Sequence, residues 1–219
     1  MAPSNSMSIP FKIITERLVI RCYRPSDAIL VQNAIASSLE NLRKWMPWAK
    51  SEPTTLESKK ELVSKFESDF IQNEDYTFGI FNKSEDLLIG STGLHTRLGK
   101  ESREIGYWIN SSFLNKGYAT EAASAMVKAG FEFHRVKNIQ IHCDSNNLIS
   151  RQIPKKLGFK LIKILKEDTP TSDNNSRDTM IWDLSFKDYA QIKEDFAPIQ
   201  AFDQEGKVLK IQKNGIEPD

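Results

Sequence analysis

The sequence predicts an α+β domain: a mixed, mostly antiparallel sheet with helices packed against it. Three observations carry that expectation. The hydrophobic period switches repeatedly between two and about 3.6 residues; strand-like segments follow one another from Tyr76 to Ile109 across short charged turns; and no regular strand–helix alternation runs through the whole chain. Strands joined by short turns make an antiparallel meander, whereas a doubly wound sheet needs a crossover after every strand.

Composition narrows the class further. The chain has 219 residues, 39% hydrophobic and 27% charged, which fits one core with a modest appendage and excludes general disorder or a collagen-like repeat. Lys and Arg number 30 against 29 Asp and Glu, so no overall field draws the chain to nucleic acid or an anionic membrane, and neither is expected as a partner. Cys22 and Cys143 stand far apart, with no CxxC and no histidines at ligand spacing, so neither a disulfide framework nor a metal site is expected. No apolar run is long enough to cross a bilayer and the start lacks the basic-then-apolar pattern of a leader, so a cytoplasmic protein is expected.

The elements follow in order. Residues 1–12 read as a flexible start, 13–184 as the domain and 185–219 as a helix-and-hairpin appendage. Glu16 to Tyr23 alternates as a strand, with Leu18, Ile20 and Cys22 on one face and Arg17, Val19 and Arg21 on the other. Pro25, Ser26 and Asp27 start a helix, and a short turn spans Asn41 to Trp48. Thr54 and Glu57 form a capping-box pattern ahead of a long amphipathic helix with Leu62, Val63, Phe66 and Phe70 on one stripe. Tyr76 to Phe81 and Leu87 to Ile89 make a hairpin, and Arg103 to Ile109 is the next strand. Ala122 to His134 is helical, with His134 placed to complement the helix dipole as a cation; Asn138 to Asp144 is a strand. Ser150 to Leu157 is a short helix stopped at Gly158, Phe159 to Leu165 and Thr179 to Leu184 are strands, and 168–177 is a polar loop. Ser185 to Phe196 closes as a helix, and Ile199 to Ile211 folds as a hairpin around Asp203–Gly206.

Two segments carry chemistry. Asn115, Lys116, Gly117, Tyr118, Ala119 and Thr120 join a strand to a helix, and free N–H groups at such a helix start bind a pyrophosphate through backbone and dipole. The same letters also suit a plain turn capped by Thr120. Asn147 and Ser150 lie just after a strand, where they either cap the next helix or meet a ligand at the strand's C-terminal end.

In this order and spacing, the segments resemble the GNAT superfamily of acyl-CoA-dependent N-acetyltransferases. The resemblance runs from Thr15 to Leu184. It rests on Thr15-Glu16-Arg17-Leu18 with Arg21 and Asp27, the Leu42–Trp48 segment, Ile89-Gly90 with Gly93-Leu94, Glu104–Ile109, Gly117–Ala122 and Asn147–Phe159, and is nearest the ribosomal-protein alanine and serine acetyltransferases. It implies a sheet whose central strands splay to admit acyl-CoA, with acetyl-CoA as cosubstrate and no metal. The family's loop pattern falls on Leu114 to Ala119, where Leu114 departs from the usual Gln or Arg and is expected to weaken one anchoring contact. The pantetheine arm is expected to pair with the strand ending at Ile109, making Ile109, Leu114–Thr120, Asn147 and Ser150 the implied cofactor-binding set.

Acyl transfer to an amine needs a base, an oxyanion donor and an acid for the leaving thiolate. Ser150 matches the family position beside the CoA sulfur and is the candidate acid, with N-capping as the alternative. Glu104 is the candidate base, with a solvated strand carboxylate as the alternative and Glu167, Asp168 or water as rivals. Trp45 and Trp48 are candidates to line the acceptor entrance, with helix packing as the alternative for Trp45, and His95 is a candidate to face the acceptor. The implied acceptor is a protein N-terminal amine; a small amine such as a polyamine, amino sugar or antibiotic, or a non-catalytic acyl-CoA-binding role, are the alternatives, and a homodimer stays open.

Overall fold

The computed structural model describes residues 9–170 and 176–211. Their strands are β1 (Lys12–Ile14), β2 (Val19–Cys22), β3 (Tyr76–Phe81), β4 (Leu88–His95), β5 (Ser102–Ile109), β6 (Asn138–Asp144), β7 (Lys160–Pro170), β8 (Ser176–Ser185), β9 (Gln200–Phe202) and β10 (Val208–Leu209). The helices are α1 (Ala28–Ala36), α2 (Leu39–Trp45), α3 (Leu56–Ile71), α4 (Tyr118–Lys128), α5 (Gln152–Lys156) and α6 (Phe186–Ile192). All the described strands join one sheet in the order β10-β9-β1-β2-β3-β4-β5-β6-β8-β7. Every pairing is antiparallel except β5 with β6, so the mixed, mostly antiparallel sheet is as the sequence predicts.

Alternation along β2 divides the core. Ile20 and Cys22 join a large cluster with α4, where Ala122, Ala123 and Ala125 let the helix approach the sheet closely and Met126 is fully buried. Val19 joins a smaller cluster with Val31 and Ile35 of α1, Leu42 of α2 and Val63 of α3 on the opposite face. Burying a side chain of the size of Met126 or Ile20 stabilises the fold by about 1.5–3 kcal/mol.

Several expectations are revised by the structure. Arg21 is buried rather than on a polar face, because Asp27 takes its guanidinium through two bonds of 2.7 and 2.9 Å and Glu85 takes Nε at 2.6 Å. Thr55, not Thr54, caps α3, accepting from the Ser58 N–H at 3.1 Å. Helix α4 starts earlier than expected, at Tyr118 with Gly117 as its cap, and passes into a π turn over Ala129–Phe133. His134 is not a dipole-complementing cation: burial, then the Arg103 charge, pushes its imidazole down to about 4. Of the polar loop expected at 168–177, 168–170 belong to β7 and 176–177 to β8, while 171–175 lie outside the described residues.

At the chain ends, 1–8 of the expected flexible start also lie outside the described residues, while Ile9 is buried and β1 pairs with β2 and β9. The C-terminal hairpin therefore continues the domain's own sheet.

The feature that positions the site is a break in pairing. Strands β5 and β6 pair only at Ser102↔Asn138, Arg103↔Ile139 and Glu104↔Gln140. Beyond that point β5 stays bound to β4 up to Ile109 and β6 stays bound to β8 up to Asp144. Each strand thus turns a free backbone edge towards the same wedge-shaped gap.

Candidate active site

The loop after β5 is shaped by two left-handed residues, Asn115 at φ 60° and Gly117 at φ 80°. Glycine takes this conformation without the Cβ clash that penalises other residues. The first helical bond of α4 runs from the Glu121 N–H to the Gly117 carbonyl at 3.0 Å, so the N–H groups of Tyr118, Ala119 and Thr120 leave the helix end without intrahelical partners. Gly117, rather than Thr120, occupies the cap. Arg17 braces the loop: its Nε meets Glu121 Oε2 at 2.6 Å, its Nη1 donates to the Lys116 carbonyl at 2.8 Å, and its guanidinium lies 4.5 Å from the centre of the Tyr118 ring. Burial alone would raise the Glu121 carboxyl, but hydrogen bonds from Thr15 and Arg17 and the Arg17 charge outweigh it and hold it below the ordinary value. Leu114 packs against the main core, anchoring the loop by burial.

The gap between β5 and β6 opens into a cleft of about 1260 Å³. On one side Tyr107 Oη lies 3.2 Å from Ser150 Oγ and 3.3 Å from the Ser150 carbonyl, while Asn147 Oδ1 accepts from the Ser150 N–H at 3.0 Å. Neither residue caps the next helix, since α5 starts at Gln152 with Arg151 at its N-cap and no side-chain cap bond; Asn147 instead closes the turn before it, and the Ser150 hydroxyl faces Tyr107. Burial raises the Tyr107 phenol well above its ordinary value, so it stays protonated. Cys143 lines the same region, its thiol pushed up to about 11 by burial.

Glu104 is buried, with Oε2 at 3.0 Å from Arg97 Nε and 3.6 Å from His142 Nδ1. It is therefore paired rather than solvated. His95, opposite Glu104 in the β4/β5 register, places Nδ1 at 2.7 Å from Asp75 Oδ2. Of the rivals, Glu167 is exposed at an irregularity in β7, and the Asp168 side chain lies outside the described part of the structure.

The far wall is aromatic. Trp48, 41% exposed, has its ring centre 6.2 Å from that of Trp108, and Trp45 lies under the Arg177 guanidinium at 5.5 Å. Both expected tryptophans line the cleft, as do Glu104, His95, Asn147 and Ser150; Leu114–Thr120 lie apart on the helix start. Sequence reading missed Asp75, Arg97, Tyr107, Trp108 and Arg177 as cleft residues. Tyr107 and Trp108 sit within the segment that carries the resemblance, but a strand's period does not say which edge is open.

Residues 17–160 match the model of the acetyltransferase (GNAT) domain family. The chain belongs to this GNAT family. Among its relatives, the uncharacterized N-acetyltransferase YnaD of Bacillus subtilis is 31% identical over 158 residues, covering 72% of this chain and 88% of YnaD. The ribosomal protein uS5-alanine N-acetyltransferase of Escherichia coli is 23% identical over 183 residues, covering 81% and 92% of the two chains. A solved ribosomal L7/L12 α-N-protein acetyltransferase in complex with coenzyme A superposes with a TM-score of 0.72 at 16% identity, over 82% of this chain and 98% of that one, a likeness of fold. This GNAT protein is accordingly an N-acetyltransferase, an enzyme of the acyltransferase class. No described helix is long and apolar enough to cross a membrane, and the described residues contain no cluster of metal-ligating side chains.

Proposed function

We propose that this GNAT enzyme uses acetyl-CoA to acetylate a protein N-terminal amine. The observation that carries the cosubstrate is the pairing break after Glu104↔Gln140, which leaves the backbone edge of Ile105–Ile109 free beside a helix start with outward N–H groups. An amide-bearing pantetheine arm fits such an edge, and a pyrophosphate fits the helix start. The residues that would hold the cosubstrate are Ile109, Leu114–Thr120, Asn147 and Ser150. Bound there, acetyl-CoA supplies an activated thioester. Ser150, with its hydroxyl beside the protonated Tyr107, is the group proposed to donate a proton to the leaving sulfur. The acceptor ammonium must also lose a proton, and Glu104 and His95 both face the cleft.

Charge in the cleft supports a peptide acceptor over a polycation. Three of its carboxylates are matched by cations, Glu52 by Lys59, Glu104 by Arg97 and Asp144 by Arg177, and Asp75 is hydrogen-bonded to the His95 ring. Polyamines and aminoglycosides would favour a strongly acidic cleft. The aromatic wall of Trp45, Trp48 and Trp108 instead suits the apolar and amide surfaces of a short peptide. The named activity of the Escherichia coli relative supports the same acceptor. The test is release of free CoA with peptides bearing N-terminal Ala or Ser, set against spermidine and an aminoglycoside. Peptide turnover at least tenfold more efficient is expected; preference for a polyamine, or no release with any amine, would overturn the reading.

A further inference from the structure

Deprotonating an ammonium requires a free acceptor of protons in the cleft, and the two carboxylate–imidazole pairs there are not equivalent. Both the Arg97 guanidinium and the His142 ring approach the same Glu104 oxygen. His95 is arranged otherwise. Asp75 Oδ2 meets its Nδ1 at 2.7 Å, and Asp75 Oδ1 accepts the Thr96 N–H at 2.9 Å, which fixes the carboxylate. Burial would raise Asp75, but hydrogen bonds from His95 and from the N–H groups of Thr96 and Tyr76 oppose it, and the carboxyl is held below its ordinary value. An ionised carboxylate only accepts, so Nδ1 carries the hydrogen and Nε2 is left to take up and release a proton.

The sheet makes room for this ring. Gly93 and Gly106 are partners in the β4/β5 register. A Cβ at Gly93 would stand 2.6 Å from His95 Cε1 and 2.7 Å from Nε2, and one at Gly106 would stand 3.2 Å from Nε2. Gly106 lies just past the last β5/β6 pair, at Glu104, so Nε2 is held at the mouth of the gap.

We propose that His95 is the general base of this enzyme, accepting the ammonium proton at Nε2, and that Asp75 is the residue that positions it; the assignment rests on the acetyltransferase reading above. One ammonium proton passes to Nε2, and the freed lone pair forms the N–C bond to the acyl carbon. The C–S bond breaks with its electron pair on sulfur, which is protonated as a second proton leaves the nitrogen. The resulting imidazolium is paired with Asp75. Besides Asp75, the titratable groups that share the cleft with the ring are Arg97 after β4, Glu104 of β5 and His142 of β6; Glu74, before β3, meets Thr96 through its backbone carbonyl, and the Asp75 charge also acts on Tyr76 and Arg103.

The experiment uses the full chain. In long-range 15N–1H spectra the neutral His95 ring is expected as the Nδ1–H tautomer, independent of turnover; an Nε2–H tautomer would overturn the assignment. His95→Gln should lower kcat/KM about 100-fold, remove the acidic limb of the pH profile that belongs to the enzyme, and leave acetyl-CoA affinity by calorimetry unchanged. Asp75→Asn should cost about tenfold and move that limb to lower pH, because losing the carboxylate disfavours the imidazolium. Retention of the wild-type rate and profile by His95→Gln, or loss of the limb in Glu104→Gln instead, would sink the base assignment alone. A wild-type protein that acetylates no amine would sink the acetyltransferase reading and this assignment together.

Discussion

The Ser150 hydroxyl and the Tyr107 phenol form one hydrogen-bonded unit at the gap, and the phenol stays protonated at neutral pH because burial disfavours the phenolate. Proton donation to the departing sulfur matters only as charge develops there. Ser150→Ala is therefore expected to lower kcat about tenfold to 100-fold with little change in the acetyl-CoA KM, since N–H capping in this turn rests on Asn147. An unchanged kcat would leave Ser150 a structural role only. Tyr107→Phe removes the partner, and the double variant should lose less than the product of the two single losses, because the groups act together. The neighbouring Cys143 thiol, pushed up to about 11, should react slowly with iodoacetamide at pH 7.5; rapid labelling of the folded protein would contradict that environment.

At the scale of elements, the β5–α4 loop is defined by its backbone. Proline at 117 would both remove an N–H and demand a φ near −65° where the chain holds 80°. Gly117→Ala is the gentler probe, costing about 1 kcal/mol of left-handed strain. Arg17→Ala leaves the loop's own residues intact but releases the Lys116 carbonyl and Glu121. Both variants should weaken acetyl-CoA binding about threefold to tenfold in calorimetry while circular dichroism stays unchanged; wild-type affinity in both would remove the pyrophosphate from this loop. The end of α4 supplies a second prediction. Arg103 Nη2 donates to His134 Nε2 at 3.0 Å, which requires a neutral imidazole, and burial holds its titration near about 4. The unfolded histidine titrates near ~6.5, so on acidification from there to about 4 the unfolded state binds a proton that the folded state refuses. Stability should fall across that window, by up to about 3 kcal/mol, and level off below it. Urea unfolding of His134→Gln should show a flatter dependence between pH 7 and 4.5; an identical slope would assign the loss to other groups.

For the molecule as a whole, the C-terminal hairpin is part of the sheet. Residues Lys12, Ile13 and Ile14 pair with Phe202, Ala201 and Gln200, and Ala201 is buried. Removing residues 198–219 would strip β1 of its outer neighbour and expose an unpaired edge. The truncated protein is expected to melt several degrees lower while keeping most of its acetyl-CoA affinity, since β5 and the gap lie on the other side of β2–β4 in the sheet order. Unchanged melting would make the hairpin a passive extension.

The sequence by itself determined most elements and the family, because period-two alternation in Tyr76–Phe81, the stripe of α3 and the Gly117 junction are local signals that tertiary context did not override. It also pointed to the Asn115–Thr120 junction proposed to hold the cosubstrate, because the glycine ahead of a helix start is itself a local signal. Other features only the tertiary structure decided. Arg21 looked solvent-facing by alternation and is buried, because Asp27 and Glu85 reach it from a turn and from the β3–β4 hairpin. Asp75 and His95 are twenty residues apart in the chain and become a hydrogen-bonded pair only when β3 and β4 lie side by side. The gap between β5 and β6 has no sequence signal of its own: each strand reads as ordinary, and it is their different fixed partners, β4 and β8, that hold the two edges apart.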